Sequence, residues 1–217
     1  MDDNPQMTTL GEWVLRVRRP PGRGPHPVLL LVHGWTGDEN SMGIFASRLP
    51  ADALLIAPRG LHAAPSGGFS WHPPKPAPWT IVDFRPSVEA LLSLLTPTNF
   101  PEGDFSRLSL VGFSQGAALI YTFALLHPER VRSLAGLAGF MPQDAERLVA
   151  ARPLQGMPAF VAHGTLDEQV PVAGARRAVA ILEAAGADVS YCEDEVGHKL
   201  SLTCFKSLQS FFKDPTG

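Results

Sequence analysis

At 217 residues the chain fits one domain, and its 45% hydrophobic and 18% charged residues strike a globular balance that excludes a mostly disordered chain. A formal net charge of −3 leaves no basic footprint for a phosphate backbone, and Arg18-Arg19 and Arg176-Arg177 read as solvated surface, so no nucleic-acid partner is expected. The two cysteines, Cys192 and Cys204, lack metal-type spacing and are expected as buried free thiols. The start, M-D-D-N-P-Q-M-T-T-L, shows neither the basic nor the apolar region of a secretory signal, and no apolar run reaches the roughly 18 residues of a membrane span. The expectation is a soluble, cytoplasmic protein.

In chain order, residues 12–19 alternate Trp13, Leu15 and Val17 with Val14, Arg16 and Arg18, which predicts an antiparallel edge strand with one wet face. After the turn R-P-P-G-R-G-P-H-P, the short, continuously apolar run 28–32 predicts a strand covered on both faces. Runs at 53–57, 108–111 and 159–162 repeat that pattern, and 131–137 and 187–192 do so more weakly. Between them lie helical patterns. Val88, Leu91, Leu92 and Leu95 form one apolar face, with Asp83 placed to cap and Pro86 tolerable in a first turn. Pro171 suits the opening of a helix whose Val172, Ala175, Val179 and Leu182 face inward and whose end Gly186 marks. Leu202, Phe205, Leu208 and Phe212 give the last helix a buried stripe. Strands alternating with amphipathic helices predict an α/β fold: one domain over 1–217, a mostly parallel sheet with helices on both faces.

One segment breaks this rhythm. Residues 62–80 are rich in proline yet carry Phe69, Trp71 and Trp79, and aromatics gain most by burial, so an ordered excursion is expected near a ligand cleft.

G-F-S-Q-G, residues 112–116, follows the apolar strand L-S-L-V and opens the segment A-A-L-I-Y-T-F-A-L-L, the strand–turn–helix setting of a nucleophile elbow. A serine hydroxyl is a weak nucleophile at neutral pH, so Ser114 needs a base and an acid to orient it. Asp167, in H-G-T-L-D-E-Q-V-P, and His198, in E-D-E-V-G-H-K-L, each fall just past a strand, in the order Ser, Asp, His. Glu168, Asp194 and Glu195 are the competing acids, and His163 is expected to support its loop. An oxyanion needs donors, for which the backbone N–H of Gln115 and that of Trp35, in H-G-W-T-G, are the candidates. Trp71, Phe140 and Met141 are placed in the cleft by loop position. The remaining histidines, His26, His33, His62, His72 and His127, have no ligand spacing, and no metal is expected.

The motifs H-G-W-T-G-D-E, A-P-R-G, G-F-S-Q-G-A-A, H-G-T-L-D-E-Q-V-P and G-H resemble the phospholipase/carboxylesterase group of α/β-hydrolases, which includes acyl-protein thioesterases. The resemblance implies a sheet of eight strands or slightly fewer, no cofactor, and ester hydrolysis through an acyl-enzyme. It also implies Ser114, Asp167 and His198 as triad, with Trp35 and Gln115 as oxyanion hole. Trp35 is bulkier than the aliphatic residue expected there, which points toward small or medium acyl esters rather than long lipids. The expected partner is a small ester, with pairing of two copies left open.

Overall fold

Apolar runs covered on both faces become the middle of one sheet in the computed structural model, which describes residues 5–46 and 48–213. The first four residues of the amino-terminal stretch read above lie outside these. The strands are β1 (Gln6–Leu10), β2 (Trp13–Arg18), β3 (His26–Val32), β4 (Leu54–Pro58), β5 (His62–Ala63), β6 (Phe69–Ser70), β7 (Gly103–Phe113), β8 (Val131–Leu137), β9 (Pro158–Gly164) and β10 (Asp188–Asp194). The helices are α1 (Gly43–Ala46), α2 (Ile81–Leu94), α3 (Gln115–Leu126), α4 (Val172–Ala184) and α5 (Leu202–Lys213). Eight strands form the main sheet in the order β1-β2-β4-β3-β7-β8-β9-β10, while β5 and β6 make a separate small hairpin. From β4 to β10 every pairing is parallel, and β1 and β2 join antiparallel at one end.

Alternation along the strands divides the core in two. Val28, Leu30 and Val32 face one cluster with Phe84, Val88 and Leu91 of α2, most of α3, and Ala178 and Leu182 of α4. Leu29 and Leu31 face the opposite cluster with Phe45 of α1 and Cys204 and Leu208 of α5. Helices therefore cover both faces, as an α/β sheet with buried parallel strands requires.

The structure corrects several local expectations. The strand over 12–19 is second from the edge, because β1 pairs outside it from Gln6↔Val17 to Leu10↔Trp13. Its polar-rich QMTTL sequence has too little apolar alternation to announce a strand. In α2 the N-cap is Thr80, and Asp83 sits at the third helical position, accepting from the Thr80 backbone N–H (2.7 Å) and hydroxyl (3.0 Å). Pro86 consequently falls in the second turn, where its missing N–H leaves the carbonyl of exposed Val82 for solvent. Leu202 is 79% exposed, since the buried stripe of α5 is phased on Cys204 and Leu208.

The cysteines are not free thiols. Cys192 of β10 and Cys204 of α5 form a disulfide across a Cα separation of 5.7 Å. Two positions 12 apart in sequence meet because the chain turns back from strand to helix between them. Disulfides persist in oxidising surroundings, which weighs against the cytoplasmic expectation. Among the described residues no helix is long and apolar enough to cross a membrane.

Candidate active site

Ser114 follows the last residue of β7 and immediately precedes α3, with φ 53° and ψ −116°. Such a backbone is strained for a residue with a Cβ and needs its surroundings to hold it. Both flanking glycines are required by close approach: a Cβ on Gly112 would lie 2.3 Å from the Gly116 carbonyl oxygen, and one on Gly116 would lie 2.2 Å from that of Val32. The turn is sharp because strand β3, β7 and helix α3 touch through these two positions. Ser114 N–H donates to Leu137 O (2.8 Å), which ties the turn to β8.

Asp167 lies in the β9–α4 loop, its side chain fully buried. One carboxylate oxygen accepts from the backbone N–H groups of Gln169 and Val170, both at 2.9 Å. The other meets Nδ1 of His198 at 2.6 Å and Nε2 of His163 at 3.3 Å. Burial works against ionisation of this carboxyl, but the Val170 amide, His198 and the Gln169 amide outweigh it and hold the group below its ordinary range. Glu168 and Glu195 are exposed, and Asp194 is occupied by the Glu195 N–H (2.9 Å) and by Ser201. None of the three competing acids reaches His198.

His198 lies in the β10–α5 loop, which is sewn to the Asp167 loop by Thr165 N–H to Asp194 O (2.9 Å) and Leu166 N–H to Val196 O (3.1 Å). Its ring packs at 5.0 Å from that of Phe113, the residue before Ser114. With Nδ1 engaged by Asp167, Nε2 is the nitrogen left for a substrate-side partner. Among the described residues neither Nε2 nor the Ser114 hydroxyl makes a hydrogen bond.

Trp35 and Gln115 share with Ser114 a cavity of about 530 Å³, and among the described residues neither backbone N–H is hydrogen bonded. Phe140 and Met141 line the same cavity, as do Trp79 and Pro78. Trp71 does not. It is fully buried beneath the site, its Nε1–H donating to His33 O (2.8 Å) and its backbone N–H to Oε1 of Gln115 (3.0 Å). The excursion over 62–80 thus splits in two: its first half buttresses the loop after β3, and its second half walls the cavity.

That buttress contains residues whose part could not be read from spacing. Thr36 N–H donates to Phe69 O (3.0 Å) and Phe69 N–H to Gly37 O (2.9 Å), clipping the loop to the hairpin. His33 is fully buried; its Nε2 accepts from Gly60 N–H (2.8 Å), so its proton lies on Nδ1, 2.7 Å from Gly34 O. Burial lowers its pKa and keeps it in this neutral form. The Gln115 side chain donates from Nε2 to His72 Nε2 (3.1 Å) and Ser70 Oγ (3.2 Å), joining elbow to excursion. Glu39, 2% exposed, takes a bidentate pair from Arg59 (2.8 and 3.0 Å), whose guanidinium also lies 4.5 Å over the Phe69 ring. The signal was present as H-G-W-T-G-D-E and A-P-R-G, but only their proximity shows that one motif holds the other. His163 supports its loop through Nε2–H to Val170 O (2.8 Å), while its buried Nδ1 has no partner among the described residues. Among the described residues no three His, Cys, Asp or Glu side chains gather as a metal site would require.

The fold is shared with solved proteins. A carboxylesterase from Mesorhizobium loti matches with TM-score 0.81 at 23% identity, covering 96% of this chain and 99% of its own. A Bacillus cereus carboxylesterase matches with TM-score 0.82 at 19% identity, covering 94% of each chain. Zea mays acyl-protein thioesterase 2 matches with TM-score 0.75 at 22% identity, over 94% of this chain and 99% of its own. A serine hydrolase-like protein of Danio rerio is 31% identical over 124 residues, which are 54% of this chain and 33% of that relative, so the chain spans about a third of the relative's length. Residues 96–214, which run from just past α2 through the elbow and both loops to the end of α5, match the Phospholipase/Carboxylesterase family, and the chain belongs to it.

Proposed function

We propose that the protein is a serine hydrolase that cleaves carboxylic esters of small to medium acyl groups through an acyl-enzyme. The observation that carries this reading is an imidazole tethered at 2.6 Å to a buried, ionised carboxylate and packed against the residue next to a strained serine. The M. loti and B. cereus carboxylesterases have this fold, in keeping with such chemistry.

In the first half-reaction His198 Nε2 takes the proton of Ser114 as its oxygen attacks the ester carbonyl. Contacts of this kind are commonly loose in a free enzyme and tighten around bound substrate. Asp167 stabilises the imidazolium that results. The N–H groups of Trp35 and Gln115 receive the developing oxyanion; Gln115 stands at the amino terminus of α3, where the helix dipole also favours negative charge. His198 then gives its proton to the leaving alcohol. Water, deprotonated by the same imidazole, releases the acid.

A fluorophosphonate probe is expected to attach covalently to Ser114, and Ser114→Ala to abolish both labelling and hydrolysis of p-nitrophenyl butyrate. Folded protein that stays unlabelled and inert would reduce the site to a ligand receptor. The maize relative is a thioesterase, and the same groups could attack a sulfur ester. Matched oxygen and sulfur esters of increasing chain length separate those two substrate classes.

A further inference from the structure

The cavity beside Ser114 is lined by three aromatic rings, those of Trp35, Trp79 and Phe140, with the buried His72 ring joining Trp35 to Trp79 behind the surface. The Trp35 ring lies 6.2 Å from that of His72, His72 lies 5.9 Å from Trp79, and Trp79 lies 5.3 Å from Phe140. Trp35, Trp79 and Phe140 all line the cavity and none is fully buried, Trp35 being 38% exposed. Half-exposed aromatic faces leave apolar area in water that a ligand can cover.

This wall is built rigidly from distant segments. Gln143 N–H donates to Trp79 O (2.9 Å), and Ile81 N–H to Oδ1 of Asp144 (2.7 Å), so the chain at Trp79 and two residues beyond it is cross-linked to the segment after β8. Arg177 of α4 spends its guanidinium on the same segment, donating to Met141 O (2.8 Å), Pro142 O (3.1 Å), Gln143 O (3.0 Å) and Glu146. Despite its charge it is thus a fastener of the wall. A surface fixed before binding loses little freedom when a ligand lands on it.

Three aromatic faces in fixed positions, Trp35, Trp79 and Phe140, reward a planar ring more than a puckered one of equal size, because stacking and edge-to-face contacts add to simple burial. We propose that the group this cavity takes is a planar aromatic ring, making the preferred substrates aryl-bearing esters, such as arylacetyl or benzyl esters, rather than saturated ones. The proposal rests on the hydrolase reading for its turnover but not for its binding.

Two matched pairs test it: p-nitrophenyl phenylacetate against p-nitrophenyl cyclohexylacetate, and benzyl butyrate against cyclohexylmethyl butyrate, each kcat/KM divided by the hydroxide-catalysed rate. The expected result is a preference of roughly three- to tenfold for the aromatic member of at least one pair. Trp79→Leu should bring that ratio near one. In parallel, phenylacetamide and cyclohexylacetamide are titrated against intrinsic tryptophan fluorescence, which needs no catalysis. Turnover with no aromatic preference in either pair overturns the proposal and leaves the hydrolase reading standing. Absence of turnover with tighter phenylacetamide binding removes the hydrolase reading and upholds the aromatic site; equal binding there overturns the site as well.

Discussion

Reducing the Cys192–Cys204 disulfide isolates one physical effect, because no atom larger than hydrogen is added or removed. The cross-link closes a loop of sequence separation 12, and closing a loop of that length removes about 9.5 cal/mol/K of entropy from the unfolded chain, or about 3 kcal/mol at 25 °C. For a chain of this size each kcal/mol moves the melting temperature by about 2–4 °C, so reduction should lower it by about 6–12 °C. His198 lies midway between the two cysteines, but the folded loop has other anchors. Thr165 N–H to Asp194 O, Leu166 N–H to Val196 O and the Asp167–His198 contact survive reduction. Ester turnover at 25 °C should therefore change by less than about twofold, since the effect acts through the unfolded chain. Calorimetry with and without a dithiol reductant, with the two-hydrogen mass gain confirmed, measures the first quantity, and p-nitrophenyl butyrate hydrolysis the second. An unchanged melting temperature in fully reduced protein would refute the loop-entropy argument. A collapse of activity at constant melting temperature would instead show that the bridge itself holds His198 in place.

Asp167→Asn keeps the loop's shape but loses the charge that stabilises an imidazolium, so kcat should fall on the order of 10³- to 10⁴-fold with circular dichroism unchanged; retained turnover would disprove the assignment. Gly116→Ala drives a Cβ to 2.2 Å from Val32 O, and a backbone clash of this kind should cost about 3 kcal/mol or more, or prevent soluble expression. A variant melting like the parent would show that the elbow can relax. Glu39→Gln breaks the pair between buried Glu39 and partly exposed Arg59, at a cost of about 2 kcal/mol near neutral pH. The Arg59 hydrogen bond, acting against burial, lowers the Glu39 pKa, so its contribution is complete above the ordinary carboxylate range and disappears as pH falls through the folded value. Urea unfolding should accordingly show the two proteins converging in acid, and a gap that persists at low pH would contradict this origin.

Much of the fold was legible because parallel strands buried on both faces write themselves as short apolar runs. The runs at 28–32, 131–137 and 159–162 lie within β3, β8 and β9. β1 was not legible, since an edge strand with mostly exposed polar residues carries no burial pattern. The phase error at Leu202 arises because periodicity shows that a helix has an apolar face while the neighbouring sheet fixes where that face is centred; Asp83 was instead displaced because the helix starts three residues earlier, at the Thr80 cap.

The sequence by itself determined the family, the α/β architecture and the turn at Ser114, because each rests on local constraints: alternation, chain reversal, and glycine where backbone segments touch. Only the tertiary structure decided that Trp71 is core while Trp79 is cavity wall, that Asp167 rather than Glu168 meets His198, and that the cysteines are joined. Those outcomes depend on distances between segments far apart in the chain. Neighbouring residues with the same chemistry are interchangeable in a sequence pattern, and only packing against a distant element tells them apart.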